Sequence, residues 1–202
     1  NTAGETGIGN LPYKTSIGGT INITANFTTP NNFGMHRLVN QTNGGSITVT
    51  NSFGFSVQND TLLLASLNLT GYRGGQYGYF YNNAITGNVN IDNDVSYSGG
   101  YLTYLRSNII NGNTSIANNG SNVLLDADIA SSGNKYLGNV TYIKTGAGVS
   151  VGAGDIVEIS GNLTLNSTDG IGLGKIKFNG NTNSVIEQLS TQPVQIAELI
   201  AD

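Results

Sequence analysis

Apolar and polar residues alternate in short segments along this chain, and most of these segments open with the same short phrase. The phrase is a glycine, a small polar residue and an apolar–polar–apolar triplet, as in GNVTY at 138–142 and GNLTL at 161–165. Related phrases begin at residues 19, 45, 87 and 112, and the one at 65–69 has alanine in place of glycine. An alternation with period two is typical of a half-buried β-strand. Each phrase therefore predicts a strand.

The spacing of these phrases predicts how the strands are arranged. We take the first residue of each triplet as an anchor, and the anchors are Ile21, Ile47, Leu67, Val89, Thr114, Val140 and Leu163. Successive anchors are 26, 20, 22, 25, 26 and 23 residues apart. A β-rich unit that recurs at this period indicates a solenoid built of stacked rungs. The predicted fold is all-β, a right-handed parallel β-helix or β-solenoid with 20–26 residues per rung and no substantial helix.

The repeat also predicts the organisation of the chain. Residues 1–18 show no sustained alternation and are predicted to be a linker or an irregular lead-in, whereas 19–202 form the solenoid segment. After Leu163 the pattern allows the next anchor either at 180–182 or at 185–186. The chain lacks an initiating Met and a signal peptide and ends in a strand-like segment, so we expect a piece of a longer repeat region.

Small polar residues recur four positions beyond successive anchors, where each rung is expected to turn. Asn51, Gly71, Asn93 and Asn118 occupy these positions. Asparagine and glycine tolerate left-handed backbone, and stacked asparagines can hydrogen-bond between rungs as a ladder. We predict a corner with a ladder there.

Composition narrows the classes of function. Only 10% of residues are charged, and 29 glycines are accompanied by 29 asparagines, which favours turns over helices. The net charge of −4 argues against a nucleic-acid partner, because binding phosphate requires a basic surface. The absence of cysteine excludes disulfides and thiolate metal sites. No apolar run reaches the roughly 20 residues of a membrane helix, so membrane insertion is not expected.

The later repeats resemble the β-helical regions of large surface proteins of Bacteroidota, including flavobacterial adhesins. The matching segments are GNLTLN at 161–166, KIKFNG at 175–180, VIEQ at 185–188 and IAELI at 196–200. The resemblance covers residues 110–202 best. It implies secretion through a type IX route and display on the cell surface, with adhesion during gliding in some relatives. It also implies surface glycans or other cell-surface proteins as partners.

Tyrosines concentrate in one part of the chain. Seven of the ten lie at 72, 77, 79, 81, 97, 101 and 104. Tyr77, Tyr79 and Tyr81 alternate and would share one strand face. Tyr79 and Tyr101 both lie 12 residues past an anchor and are predicted to stack between rungs. We predict a stripe that binds carbohydrate or a partner surface, formed by Tyr77, Tyr79, Tyr81, Tyr97 and Tyr101, or alternatively stacked rings that only stabilise a wide rung.

Two acidic pairs are candidates for a calcium site, because calcium prefers oxygen ligands. They are Asp92 with Asp94 and Asp126 with Asp128. Neither lies in a known calcium-loop pattern, and residues two apart on a strand can equally face water together. No other cofactor is predicted.

The sequence predicts a structural and adhesive segment of an extracellular protein rather than an enzyme. The single histidine, His36, has no cysteine or second histidine for a zinc site, and we expect a loop or corner residue. One alternative is a carbohydrate-active β-helix enzyme, which needs acidic residues clustered near a groove. The other is a pilus-like filament subunit, a β-sandwich in which residues 1–18 could serve as a donated strand.

Overall fold

A computed structural model describes eleven segments of the chain. They are residues 5–8, 15–29, 32–72, 78–93, 103–118, 123–124, 133–144, 156–168, 171–180, 183–189 and 192–201. These segments contain strands and no helix, and the strands pair in parallel. The predicted β-solenoid is confirmed, and the parallel pairing contradicts the β-sandwich alternative.

The strands form three sheets, which we call sheets A, B and C. Sheet A consists of β1 (Glu5–Ile8), β4 (Asn32–His36), β7 (Gly54–Gln58), β10 (Gly78–Tyr81), β13 (Thr103–Arg106) and β16 (Val123–Leu124). Sheet B consists of β2 (Thr15–Ile17), β5 (Leu38–Asn40), β8 (Thr61–Leu62), β11 (Ala84–Ile85), β14 (Ile109–Ile110), β17 (Lys135–Tyr136), β19 (Ile156–Ile159), β21 (Ile171–Phe178) and β23 (Val194–Ala201). Sheet C consists of β3 (Ile21–Asn26), β6 (Gly45–Thr50), β9 (Ser66–Tyr72), β12 (Asn88–Asn93), β15 (Thr114–Asn118), β18 (Val140–Lys144), β20 (Leu163–Ser167) and β22 (Ile186–Gln188). The first eighteen strands follow the order A, B, C, so every three strands complete one rung.

The anchor residues stack in sheet C, with one exception. Ile47, Leu67, Val89, Thr114, Val140 and Leu163 pair in consecutive rungs as the spacing predicts. The position given to Ile21 is wrong by two residues, since Ile21 pairs with Gly45 and Ile23 pairs with Ile47. The alternation alone does not separate these two registers, because Ile21 and Ile23 point to the same face. Beyond Leu163 the next anchor is Ile186.

Residues 1–18, the predicted lead-in, contain two strands of the solenoid. β1 pairs with β4 in sheet A, and β2 pairs with β5 in sheet B. The paired structure therefore extends in front of residue 19. Isolated strands of three or four residues carry too little alternation to be recognised from sequence, and pairing with the next rung is what defines them.

The interior is filled by apolar side chains that stack in columns along the rod. In sheet C the anchor column is continued two residues later by a second buried column. Its members are Val49, Leu69, Ile91, Ile116, Tyr142 and Leu165. Sheets A and B contribute further columns, including Phe33 and Phe55 from sheet A and Leu62 and Ile85 from sheet B. Each rung thereby buries its apolar face against its neighbours.

Thr114 interrupts the anchor column with a polar side chain. It is 1% exposed and lies between Val89 and Val140, and its hydroxyl has no hydrogen-bond partner among the described residues. Replacement by valine, which has nearly the same shape, removes an unpaired buried hydroxyl. We expect Thr114→Val to raise the free energy of unfolding by about 1–2 kcal/mol, measured by urea denaturation. A decrease would contradict this account of the column, and Thr141→Val, on the outward side of β18, is the matched control.

The glycines of the repeated phrase stack directly on one another at the corner between sheets B and C. A Cβ atom on Gly138 would lie 2.5 Å from the carbonyl oxygen of Gly112, and one on Gly161 would lie 2.6 Å from that of Gly138. From Gly87 to Gly161, the backbones of successive rungs therefore approach too closely at this corner for a side chain. This close approach explains why the phrase begins with glycine.

Gly138→Ala is expected to lower the free energy of unfolding by about 2 kcal/mol, because the added methyl group forces two rungs apart. Gly19→Ala is the matched control, since a Cβ atom at Gly19 meets no atom within 4 Å. Thermal or urea denaturation of both variants tests the stacking. Equal stability of the two variants would contradict it.

The asparagines that follow these glycines form an exposed ladder. The Oδ1 atom of Asn88 accepts a hydrogen bond from the backbone N–H of Asn113 at 2.8 Å, and Asn113 does the same for Asn139 at 3.0 Å. The ladder continues from Asn139 to Asn162 at 2.9 Å and from Asn162 to Val185 at 3.0 Å. The asparagine of the phrase thus joins each rung to the next.

A left-handed backbone was predicted for the corner four residues past the anchors, and it is found at two of the four positions. Asn51 and Gly71 have positive φ angles of 59° and 62°. Asn51 donates to Asn26 in the preceding rung at 3.0 Å. Asn93 and Asn118 end β12 and β15, but their side chains lie outside the described set, so a ladder over all four positions stays a prediction.

A second ladder, buried and not predicted from sequence, lies at the corner between sheets A and B. A residue with left-handed backbone begins this corner at Arg37, Asn59, Asn82 and Ser107. The next residue points inward and is buried, and these four residues are Leu38, Asp60, Asn83 and Asn108, which the buried Asn134 follows in the next rung. The side-chain oxygen of each later member accepts a hydrogen bond from the backbone N–H of the member one rung before, at 2.6–3.1 Å.

Candidate functional site

The outward face of sheet A carries the described part of the tyrosine-rich region. In β10, Phe80 is fully buried, so Tyr79 and Tyr81 on either side of it point outward. In β13, Leu105 is fully buried, and Tyr104 and Arg106 point outward by the same alternation. Parallel pairing places Tyr79 beside Tyr104 and Tyr81 beside Arg106.

The aromatic rings on this face contact one another. Tyr79 and Tyr104 are stacked, with ring centroids 5.6 Å apart and planes 10° from parallel. Tyr79 and Tyr81 meet edge to face at 6.2 Å and 85°. Both are favourable arrangements of aromatic rings and hold Tyr79 in a defined orientation. Tyr79 is therefore stacked on Tyr104 of the next rung, an arrangement that both alternatives of the sequence analysis allow.

A guanidinium group completes the cluster at one end. The Cζ atom of Arg106 lies 5.1 Å from the centroid of the Tyr104 ring, a cation–π contact. A planar guanidinium group can donate two parallel hydrogen bonds to a carboxylate. Arg106 thus places a cationic group beside the aromatic rings.

Small and amide side chains occupy the same face one and two rungs earlier. Ser56 pairs with Tyr79, and Gly34 pairs with Ser56. In the adjacent column, Gln58 pairs with Tyr81, and the amide of Gln58 donates a hydrogen bond to the hydroxyl of Ser56. On the side of Tyr79 away from Tyr104 lies β7, where Ser56 carries a small side chain, and Gly34 lies one rung further, in β4. We call this outward face the tyrosine shelf. Its residues are Gly34, His36, Ser56, Gln58, Tyr79, Tyr81, Tyr104 and Arg106.

The structure brings together only part of the predicted tyrosine stripe. Tyr79 and Tyr81 lie on the shelf, whereas Tyr77, Tyr97 and Tyr101 lie outside the described residues. The register pairs Tyr79 with Tyr104, while the predicted stacking of Tyr79 on Tyr101 involves a residue outside the described set and stays a prediction. The segment between the anchor and the tyrosines is longer in the later rung, so counting from the anchor does not reach the paired residue.

The acidic pairs cannot be assembled into a site from the described residues. Asp92 lies on β12 and pairs with Ala117, while Asp94, Asp126 and Asp128 lie outside the described set. Within the segments that the structure describes, no group of three histidine, cysteine or acidic side chains could hold a metal ion. Calcium binding stays a prediction.

His36 is the last residue of β4 and faces Gln58 of the next rung. The following residue, Arg37, adopts left-handed backbone and begins the corner to sheet B. His36 was predicted to be a loop or corner residue, and it lies at the end of a strand, directly before the corner. His36, Gln58, Tyr81 and Arg106 occupy the same position in successive rungs of sheet A, and His36 is therefore part of the shelf.

One buried carboxyl group has an unusual environment. Asp60 is 1% exposed in the inner ladder, and its Oδ1 accepts a hydrogen bond from the backbone N–H of Leu38 at 2.6 Å. Burial raises the pKa of Asp60 to about 7, against the opposing effect of backbone hydrogen bonds from Leu38 and Gln58. It lies at the corner between sheets A and B, two residues after Gln58, and occupies the ladder position that is asparagine in the next three rungs.

Sequence reasoning missed Tyr104 and Arg106 as site residues and missed the inner ladder. The alternation of Thr103–Arg106 around Leu105 could have placed Tyr104 and Arg106 on the outward face. Recurring residue pairs could have revealed the ladder, namely Asn59-Asp60, Asn82-Asn83, Ser107-Asn108 and Gly133-Asn134.

Comparison with known proteins found no match. No family model matches the chain, and neither a curated protein nor a solved structure matches it. Among the described residues, no helix is long and apolar enough to cross a membrane.

Proposed function

We propose that this chain is a structural and adhesive segment of a large extracellular surface protein, acting as a stiff stalk that displays binding surfaces. The chain resembles type IX-secreted surface proteins of Bacteroidota in its repeats, and attachment or gliding is the role that this resemblance suggests. In this proposal the solenoid provides length and rigidity, and the tyrosine shelf provides a contact surface.

The observation that carries the proposal is the continuity of bonding along the rod. The exposed ladder joins four consecutive asparagines from Asn88 to Asn162, and the inner ladder joins Asp60 to Asn134. Stacked apolar columns run beside both ladders. A rod linked in this way at each rung resists bending and local opening, as a stalk requires.

A flow-chamber experiment tests the adhesive part of the proposal. Beads coated with the purified chain are placed on surfaces carrying acidic polysaccharides, neutral polysaccharides or intact bacterial cells, and the flow is increased stepwise. We expect beads that carry the chain to remain on at least one surface at a flow that removes albumin-coated beads. Simultaneous detachment of both kinds of bead from every surface would contradict an adhesive function.

Protease digestion tests the stalk. We expect the chain in native buffer to withstand a concentration of proteinase K that degrades the same chain after denaturation in urea. Rapid cleavage at many sites in native buffer would contradict a rigid, continuously bonded rod.

A further inference from the structure

We infer that Asp60 forms a pH-sensitive joint between the second and third rungs, so that loss of its proton opens the first two described rungs while the later rungs stay closed. The second rung consists of β4, β5 and β6, and the third consists of β7, β8 and β9. The inference concerns regulation of the fold and does not depend on the proposed adhesive function. It is carried by the bonding of the Asp60 carboxyl group across this interface.

One oxygen of the Asp60 carboxyl group joins the two rungs, and the other is buried without a hydrogen-bond donor. Oδ1 accepts a hydrogen bond from the backbone N–H of Leu38, in the second rung, at 2.6 Å. Oδ2 is buried and has no hydrogen-bond partner among the described residues. A buried oxygen without a donor destabilises the ionised carboxyl group, because neither water nor an N–H group solvates its charge.

The inner ladder indicates which group lies opposite this buried oxygen. In the next rung the equivalent atom is the amide nitrogen of Asn83, which donates to the carbonyl oxygen of Val57 at 3.0 Å. Val57 lies three residues before Asp60, the ladder member of the preceding rung. By the same rule, Oδ2 of Asp60 is directed toward the carbonyl of Met35, which pairs with Val57. A protonated carboxyl group can donate there, whereas an ionised one sets two acceptor oxygens against each other.

Few charged groups surround the Asp60 carboxyl group. The strands that border its corner, β5, β7, β8 and β11, contain no charged side chain. The titratable and charged groups on the other described elements beside Asp60 are His36, Arg37, Tyr79 and Tyr81. His36 and the two tyrosines lie on the outward face of sheet A, and Arg37 begins the corner of the preceding rung. The carboxyl group itself is governed by burial and by backbone hydrogen bonds, which act in opposite directions.

Opening of this interface releases one proton in the range between about pH 4 and pH 7. Burial is the larger influence on the carboxyl group and raises the pKa of Asp60 to about 7 in the closed rod. Once the first two rungs separate from the third, water reaches the carboxyl group and its pKa returns to about 3.9. Between these two values the closed state holds the proton and the open state releases it. The equilibrium constant for opening therefore rises about 10-fold per pH unit in this range.

The architecture of the solenoid keeps this opening local. Each rung contacts only its neighbours, so separation at one interface does not require the later rungs to open. The first rung is also packed less completely than the third, since Ile23 and Ala25 of β3 are only partly buried, whereas Leu67 and Leu69 of β9 are fully buried. A second side-chain tie across the same interface, from Asn40 to the backbone N–H of Leu63 at 2.6 Å, contains no titratable group. The pH response of the interface therefore comes from Asp60.

Hydrogen–deuterium exchange of single amides, followed by NMR between about pH 4 and pH 7, tests the joint. The backbone N–H of Leu38, which bonds to Asp60, is compared with that of Asn108, which makes the same kind of bond to Asn134. Each rate is divided by the intrinsic exchange rate of that amide at the same pH. We expect the corrected rate at Leu38 to rise about 10-fold per pH unit, and at pH 7 to exceed that at Asn108 at least roughly 10-fold. A corrected Leu38 rate that does not change with pH would overturn the joint, and equal rates at both positions would overturn local opening.

Two variants remove or move the joint. Asp60→Asn supplies a donor toward Met35 and is expected to abolish the pH dependence of the corrected Leu38 rate. Asn83→Asp places a carboxyl group at the equivalent position one rung later, where the backbone N–H of Asp60 bonds to it. A folded Asn83→Asp variant is expected to exchange this N–H faster at pH 7 than the unaltered chain does.

A third variant controls for the change in net charge. Glu187→Gln removes an exposed carboxylate on β22 and is expected to exchange like the unaltered chain. Circular dichroism at each pH confirms that the variants are folded. The Asp60→Asn variant decides the inference, because an unchanged pH dependence at Leu38 in the folded variant would assign the effect to another group and overturn it.

Discussion

Replacement of Asn108 by alanine is expected to lower the free energy of unfolding by roughly 4 kcal/mol. The Asn108 side chain is fully buried in the inner ladder. Its Oδ1 accepts from the backbone N–H of Asn83 at 3.1 Å and from the Asn83 amide at 3.0 Å, and its own amide donates to the Phe80 carbonyl at 2.8 Å. Alanine removes all of these bonds while the groups that made them stay buried. Each buried polar group that loses its partner costs about 1–3 kcal/mol.

The exposed ladder supplies a matched control for this substitution. Asn113 makes the same kind of bond, accepting from the backbone N–H of Asn139 at 3.0 Å, but its side chain is exposed. Water can replace the lost acceptor, so Asn113→Ala is expected to cost less than about 1 kcal/mol. Urea denaturation of both variants measures the difference. Similar losses of stability in the two variants would contradict the view that burial gives the inner ladder its energetic weight.

Asp60→Asn is expected to stabilise the protein, and the gain is expected to depend on pH. Burial of the carboxyl group is the main cause that raises the pKa of Asp60 to about 7. An aspartate in the unfolded chain has a pKa near its usual value, about 3.9. Between these values the unfolded chain releases the proton and the folded chain retains it. The free energy of unfolding therefore falls as the pH rises from about 4 to about 7, by a total on the order of 4 kcal/mol.

The Asp60→Asn substitution removes this dependence and completes the ladder. The amides of Asn83, Asn108 and Asn134 donate to the carbonyls of Val57, Phe80 and Leu105, three residues before the preceding ladder member. By the same rule, the amide introduced at position 60 would donate to the carbonyl of Met35, which pairs with Val57. An ionised Asp60 has no proton to donate there.

Denaturation of Asp60→Asn and the unaltered chain between pH 4 and pH 8 measures this effect. We expect the two stabilities to converge near pH 4 and to separate as the pH rises. Glu187→Gln, which removes an exposed carboxylate on β22, controls for the change in net charge and should follow the unaltered chain. If the free energies of unfolding of Asp60→Asn and the unaltered chain change with pH in parallel across this range, the pKa of Asp60 is not raised by burial.

Short-range patterns predicted most of the fold because they report on the strand itself. The alternation in 140–142 or 163–165 follows from one face being buried, and the glycine before each of these strands follows from backbone contact with the preceding rung. These requirements recur in each rung at nearly the same spacing. The period, the parallel sheets and the anchor column from Ile47 to Leu163 could therefore be predicted from the sequence.

The candidate site was only half predictable, because its residues come from rungs of unequal length. Tyr79 was singled out for its alternation with Tyr81, yet the residue that pairs with it in the next rung is Tyr104. The number of residues between the sheets differs from rung to rung, so equal distance from an anchor does not mean equal position in the stack. Only the hydrogen-bonded register of β10 with β13 decides which side chains touch.

The sequence by itself determined that this chain is a stack of short parallel strands, since a period-two pattern repeated every 20–26 residues buries its apolar faces only by stacking. The tertiary structure decided which polar residues became structural. Asn108 and Asn113 are chemically identical, but one corner folds its asparagine into the wall and the other leaves it in water. Tertiary structure also placed Arg106 over Tyr104 and gave Asp60 its buried position. Burial and cross-rung contact depend on the neighbouring rungs, and a single rung's sequence does not contain that information.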